Sequence, residues 1–229
     1  CSSDLAGDLA EARVLLRRQL DEVARERPRV GPLALAEALR RSEQRHEDAQ
    51  FAGRLGEHCE TVDGLVHSIG FAPESALGGN FLHTSWSDVA TAMQVSAYSL
   101  ASLSMAAKPR LTSGASVVGL DFDASVAWPT YDWMGVAKAA LESDTRVLAY
   151  ECGQKYGIRV NTIAPGLFRT PLLASLPEKV QNQLGATVPF PSRLGVPDEF
   201  AQLAQHIVEN KMINGEVIRV DGALRMPPS

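Results

Sequence analysis

The chain has 229 residues, 45% of them hydrophobic and 21% charged, with a net charge of -5 and a pI near 5.6. That length and composition suit one substantial globular core, and the acidic balance excludes a global basic field for gripping nucleic acid or an anionic membrane. Apolar stretches stop short of the ~20 residues a membrane span needs, and Cys1, Cys59 and Cys152 lack metal-finger spacing, so the expectation is a soluble cytoplasmic protein without a metal.

Residues 1–60 hold ten arginines, no lysine and a single aromatic, Phe51. Within them "LAEARVLLRRQLDEVARERP" and "PLALAEALRRSEQRHEDAQFAGRLGEHCE" have helical spacing and strong helix formers, and Pro28 and Pro32 separate them. This predicts two helices and no strand. The glycines here, Gly7, Gly31, Gly53 and Gly56, are scattered, so the segment 1–60 reads as atypical and helical, without a glycine-rich phosphate-binding turn. His58 beside Cys59 has no further ligand at metal spacing and reads as helix surface.

Residues 61–229 alternate between strand and helix. Short apolar, β-branched runs span Gly64–Gly70, Ala115–Phe122, Ile158–Gly166 and Gly215–Gly222, and such runs suit buried parallel strands. Helical periodicity fills Trp86–Lys108 and Thr130–Gly157 between them. Strand, long helix, strand, long helix, strand is the pattern of an α/β fold with a doubly wound parallel sheet. Ligands in such sheets sit beyond the carboxyl ends of the strands. The segments to inspect are therefore "SIGFAP", "DFDAS" and "PGLFRT".

"TYDWMGVAK" opens the second long helix and sets Tyr131 seven positions before Lys138. Seven steps of about 100° return a helix to within roughly 20° of its starting direction, two turns on. A phenol and an ammonium on one face can address a single ligand. Taken alone, such a pair is more often an ordinary helix face, with the tyrosine packed and the lysine solvated. His67, at the end of an apolar strand, reads as a satisfied and partly buried histidine.

"DGLVHSIGFAP", "SAYSLASLSMAA", "GASVVGLDFD" and "YDWMGVAKAALES" together resemble the enoyl-acyl carrier protein reductases, a divergent branch of the short-chain dehydrogenase/reductase superfamily. The "DFD" and "YDWM" variants look most like the branch serving long-chain mycolic-acid synthesis. This similarity covers roughly Arg54 to Gly166. Beyond it, "APGLFRTPLL", "LPEKV", "VPFPSRLGVPDEFAQL" and "NGEVIRVDGALRMPP" resemble the C-terminal third of the short-chain 3-hydroxyacyl-CoA dehydrogenases. The fold implied is Rossmann-like, lacking its first strands.

The resemblance separates two chemistries. Ketone-reducing members of the superfamily use Tyr-x3-Lys with a serine thirteen residues upstream, whereas enoyl reductases use Tyr-x6-Lys and lack that serine. Here the spacing is x6, position 135 is glycine and Val118 stands at the upstream position. The implied activity is NADH-dependent reduction of the trans-2 double bond of an enoyl thioester in fatty-acid biosynthesis, with NADPH left open and acyl carrier protein or CoA as the acyl carrier. Tyr131 would hydrogen-bond the thioester oxygen where enolate charge develops. Lys138 would hold the nicotinamide ribose, and Phe122 would lie beside the nicotinamide ring. Ser68, Ile69 and Gly70 would pass under the cofactor, with Asp121, Gly166 and Thr170 completing its contacts. Met134, Leu172, Leu173 and Leu176 would meet the acyl chain, whose apolar tail an apolar lining suits. A homotetramer is implied as well, with the helix from Trp86 and the C-terminal segment at its interfaces. The alternatives are a 3-hydroxyacyl-CoA dehydrogenase and a non-catalytic relic that binds acyl groups or oligomerises.

Overall fold

Four β-branched runs pair side by side in sequence order into one parallel sheet: β1 (Val62–His67), β2 (Leu111–Leu120), β3 (Arg159–Pro165) and β4 (Val217–Val220). They belong to a computed structural model that describes residues 50–128 and 130–225. The chain divides between Gln50 and Phe51, and the sheet lies in the second unit. Of the two helices expected in residues 1–60, all but the end of the second lies outside the described residues; residues 50–56 are helical.

A parallel sheet must bury both faces, so its central strands cannot alternate apolar and polar. β2 illustrates this: Ala115 through Gly119 are all buried. Val117 packs with Leu100, Leu141 and Val160 on one face. Its neighbour Val118 turns to the other face, against Ile163 and Ile207. Each such side chain contributes about 1.5–3 kcal/mol relative to remaining exposed. Helices therefore cover both faces, and the α/β doubly wound, Rossmann-like reading holds for the described sheet.

The first crossover is not the single helix expected over Trp86–Lys108. Helix α1 (Trp86–Met93) passes into a π-helical segment, Gln94–Tyr98, before α2 (Ser99–Ala107) resumes the regular pitch. Such π segments are rare and cluster at functional sites, and this one has a local purpose described below. β2 also starts four residues earlier than its apolar run. Its first residues reach Val62 across a shift in register, which lets Leu111 pair with β1 although the polar Thr112 and Ser113 break the pattern.

The second crossover is α3 (Asp132–Tyr156), 25 residues long. Gly157 ends it in the left-handed region at φ 68°, with Gly157 N–H donating to Gly153 O and Ile158 N–H to Cys152 O. This is the glycine-terminated stop that frees the chain to enter β3 at once. The third crossover holds α4 (Pro171–Ala174), α5 (Glu178–Ala186) and α6 (Pro197–Glu209). Prolines mark each start, at the first helical position or just before it, where a missing N–H costs nothing.

One buried cation ties α6 to the sheet. The guanidinium of Arg159, at the start of β3, donates to the carbonyls of Ile207, Val208, Asn210 and Ile213 at 2.6–3.0 Å. It satisfies the Ile207 and Val208 carbonyls in the last turn of α6, which a helix C-terminus leaves unpaired, and sits at the negative end of the helix dipole.

Candidate active site

β2 leaves the sheet at Leu120 and delivers Asp121, Phe122 and Asp123 to its carboxyl edge. Asp121 extends the ladder by one bond, its N–H donating to Ile163 O at 2.8 Å. Its carboxylate is only 7% exposed, and neither oxygen has a hydrogen-bond partner among the described residues. Burial pushes this carboxyl up to about 7, against the opposing pull of the Lys138 ammonium and of the Phe122 amide. A buried carboxylate without donors is an unmet hydrogen-bonding demand facing the site.

Lys138 is buried on the inner face of α3 and donates from Nζ to Leu120 O at 2.8 Å. Burial lowers its pKa, with Asp121 working in the other direction. Both partners are thus drawn toward neutrality, because desolvation outweighs their mutual attraction.

Two turns earlier, Tyr131 occupies the N-cap of α3, 39% exposed. Its ring stacks on Phe122 with centroids 4.7 Å apart and planes inclined by 27°. The corner that carries it is strained. Thr130 has φ 74° and Asp132 φ 43°, conformations that cost of order 1–3 kcal/mol each for such residues and persist only where the surroundings impose them.

Asp121, Phe122 and Tyr131 line a cavity of about 280 Å³ together with Trp128, the Ala164–Leu167 turn after β3, and Arg219 at the end of β4. Arg219 forms ion pairs with Asp123 at 2.5 Å and with Asp221 at 2.6 Å. Burial works to raise the Asp123 carboxyl, but hydrogen bonds from Arg219 and Ser125 outweigh it and hold the group below the usual carboxylate range. Trp128 donates to Asp123 O at 2.6 Å. The mouth of the cavity is therefore fixed by polar contacts between the ends of β2 and β4.

The loop after β1 runs past the same place. A Cβ built on Gly70 would lie 3.6 Å from Lys138 Nζ, so the backbone passes close over the ammonium. Ser96, in the π-helical segment, both donates to Phe71 O and accepts from Phe71 N–H, each at 2.7 Å. The irregular turn thus presents one hydroxyl that straps the loop down. His67 is buried and bonded through Nε2 to Ser99 Oγ at 2.8 Å, while Ser99 donates to Val95 O. With the hydroxyl proton committed, Nε2 is the ring donor, and Nδ1 stays without a partner among the described residues. Burial, then the nearby Lys138, lowers the His67 pKa, so the ring is neutral near pH 7.

The residues singled out from sequence fall into two groups. Tyr131, Lys138, Phe122, Asp121 and Gly166 converge on the carboxyl ends of β2 and β3, with Gly70 against Lys138. Ser68 and Ile69 are exposed beside it. Thr170 stands at the N-cap of α4 and accepts from Leu173 N–H at 3.3 Å. Met134 packs with Ala72, Ala76 and Ala92, Leu173 is half-buried, and Leu176 is exposed; Leu172 lies in α4. Met134, Leu173 and Leu176 do not line the cavity. Trp128, Asp123 and Arg219 do line it and went unnoticed in the sequence, where an arginine inside a β-branched run gave no sign of its partners.

Residues 42–224 match the family model described as enoyl-(acyl carrier protein) reductase. The chain belongs to the enoyl-(acyl carrier protein) reductase family. Among its relatives is a 3-hydroxyacyl-CoA dehydrogenase type-2 of Drosophila melanogaster, 51% identical over 47% of this chain and 40% of that protein. An enoyl-(acyl carrier protein) reductase (NADH) of Mycolicibacterium smegmatis is 47% identical over 50% of this chain and 43% of its own length. One of the same name from Neisseria meningitidis is 38% identical over 73% of this chain and 66% of that protein. The chain thus spans less than half of the first two relatives. Proteins named for both activities therefore stand among the relatives of this enoyl-(acyl carrier protein) reductase family chain. Among the described residues, no helix is long and apolar enough to cross a membrane.

Proposed function

We propose that this chain reduces the trans-2 double bond of an enoyl thioester with NADH. The observation that carries the reading is the convergence of the Tyr131 ring, stacked on Phe122, and the buried Lys138 ammonium at one strand end. The unpartnered Asp121 carboxylate and the close approach of Gly70 to Lys138 fit a polar group with several hydroxyls, as a nicotinamide ribose presents. Lys138 and Asp121 would hold that ribose, Phe122 would face the ring, and Ser68, Ile69, Gly166 and Thr170 would frame it. Bound there, the cofactor supplies a hydride.

The chain's own part is to stabilise charge and to exclude water. Tyr131 donates its phenolic proton in a hydrogen bond to the thioester oxygen, where negative charge accumulates as the β-carbon becomes saturated. The Lys138 ammonium lends positive potential to the same pocket. Phe122 and Trp128 shield one side of the cavity, and in a drier site the Tyr131 hydrogen bond is stronger. Leu172, Leu173, Leu176 and Met134 would meet the acyl chain. The assembly would be a homotetramer, as in the resemblance drawn from the sequence.

A second reading, oxidation of a 3-hydroxyacyl-CoA, is favoured by the strong identity to 3-hydroxyacyl-CoA dehydrogenases. It needs a hydroxyl upstream of the tyrosine, and Val118 at that position is 1% exposed, packed into the core against Ile163 and Ile207. The test is oxidation of NADH, and of NADPH in parallel, by the purified chain with trans-2-octenoyl-CoA or with acetoacetyl-CoA. Turnover with the enoyl thioester alone supports the reductase. Turnover with acetoacetyl-CoA alone overturns it.

A further inference from the structure

We infer that Asp132 is a positioning residue that holds Tyr131 in its working orientation by anchoring a glycine-rich loop, an assignment that rests on the reductase reading above. Tyr131 stands between two residues in the left-handed region, Thr130 at φ 74° and Asp132 at φ 43°. A β-branched residue does not adopt this conformation unaided. Something must impose it, and the helix cannot, because Tyr131 is its N-cap and precedes its first regular turn.

The restraint comes from the loop after β1. Gly78 N–H donates to Thr130 O at 2.9 Å. The next two amides, of Gly79 and Asn80, both donate to Asp132 Oδ2, at 2.7 and 2.8 Å. Gly78 and Gly79 have φ of 78° and 89°, and this left-handed pair aims consecutive N–H groups at one point, a concavity that binds an anionic oxygen. Trp133 closes the clasp: its Nε1 donates to Phe81 O at 3.1 Å and its ring stacks on Phe81 at 4.7 Å. Within the loop, Thr84 Oγ1 and Asn80 Nδ2 both donate to Ser75 O, and Ser75 donates to Asp88.

The loop is thus internally knotted and grips the corner on both sides of the tyrosine. Asp132 itself does not line the cavity. Its effect on chemistry passes through Tyr131, whose ring is fixed on one side by Phe122 and at its backbone by the clasp. Displacing a reacting group by about 1 Å can cost on the order of 100-fold in rate.

The experiment compares Asp132→Ala, Asp132→Asn and Gly79→Ala with the parent. A Cβ on Gly79 meets nothing within 4 Å, so that substitution acts only through its backbone conformation. Two readouts are taken: kcat and KM with trans-2-octenoyl-CoA and NADH, and the fluorine resonance of 3-fluorotyrosine placed at position 131. Asp132→Ala and Gly79→Ala should lower kcat by about tenfold to 100-fold, with KM for NADH within about twofold, and broaden or split the resonance. Asp132→Asn, which keeps an acceptor oxygen, should recover most of both. If the parent shows no turnover, the reductase reading fails, and the fluorine resonance alone decides the positioning role. Should Asp132→Ala not fold, Asp132→Asn and Gly79→Ala carry the test. An unmoved resonance and unchanged kcat in the variants that fold would overturn the inference.

Discussion

Tyr131 and Phe122 stack face to face with their centroids 4.7 Å apart, although one begins a helix and the other ends a strand. The contact holds the Tyr131 ring against the end of β2, at the cavity that both residues line. Tyr131→Phe keeps the stack and removes only the donor. The expected outcome is a fall in kcat of about 10²–10³-fold, the usual cost of losing one oxyanion donor, with NADH affinity unchanged. Steady-state rates with trans-2-octenoyl-CoA and a tryptophan-quenching titration with NADH check the two halves. Equal loss in both would move Tyr131 from chemistry to cofactor binding.

Asp121 gives a pH signature. Its carboxyl is raised from 3.8 to about 7 by burial, so between those values the folded chain holds a proton that the unfolded chain has released. Its contribution to stability therefore declines as pH rises through this window, and above about 7 the fold bears the full cost of a buried carboxylate. Asp121→Asn removes that cost. The stability of Asp121→Asn relative to the parent should grow from pH 4 to pH 8, read as urea midpoints at each pH. His67 titrates in both proteins, so its contribution largely cancels in the comparison. A constant difference across the range would show that Asp121 is ionised throughout.

Gly166 sits where the turn after β3 meets the turn after β4. A Cβ there would lie 2.7 Å from both Cα and Cβ of Asp221, a contact with backbone that cannot swing aside. Gly166→Ala should therefore destabilise the chain by about 1–3 kcal/mol, the cost of overpacking. It should also weaken NADH binding, because Asp221 holds Arg219 at the cavity mouth. Thermal melts and the quenching titration report each effect, and an unchanged melt would mean that the two turns can separate freely.

Arg159 makes the largest single polar commitment in the described core, with four carbonyls on one guanidinium. Arg159→Met keeps much of the apolar stem and takes the guanidinium from the Ile207 and Val208 carbonyls, while Asn210 O still accepts from Ile213 N–H and Ile213 O from Asn161 Nδ2. The expected loss is about 3 kcal/mol or more, with amide exchange accelerated first at the end of α6. Exchange that rises uniformly across the sheet would instead place Arg159 in the global core.

Much of this architecture was legible because the controlling patterns are local. β-branched runs at Gly64, Ala115, Ile158 and Gly215 marked the four described strands, and helical periodicity marked the long helix that carries Lys138, although Tyr131 stands at its N-cap, before the regular turns from which a shared face was argued. What escaped were features decided by distant partners. Nothing in "QVSAY" declares a π segment, and the pair of bonds that Ser96 makes within it goes to the backbone of Phe71, 25 positions earlier. Nothing in the sequence set Asp132 apart, because the amides that hold it come from a loop some fifty positions earlier. The resemblance set Met134 near the acyl chain, and its packing on Ala72, Ala76 and Ala92 emerges only once those distant segments come together.

The Asp123–Arg219 pair joins the segment that follows β2 to the last strand of the sheet. The cavity mouth is thus assembled from pieces that become neighbours only after the whole α3–β3–α6 passage is in place. A ligand that occupies it reports on completed topology as well as on local shape. Any compound that binds there will act as a pharmacological chaperone for this chain, raising its thermal midpoint in proportion to the logarithm of its concentration.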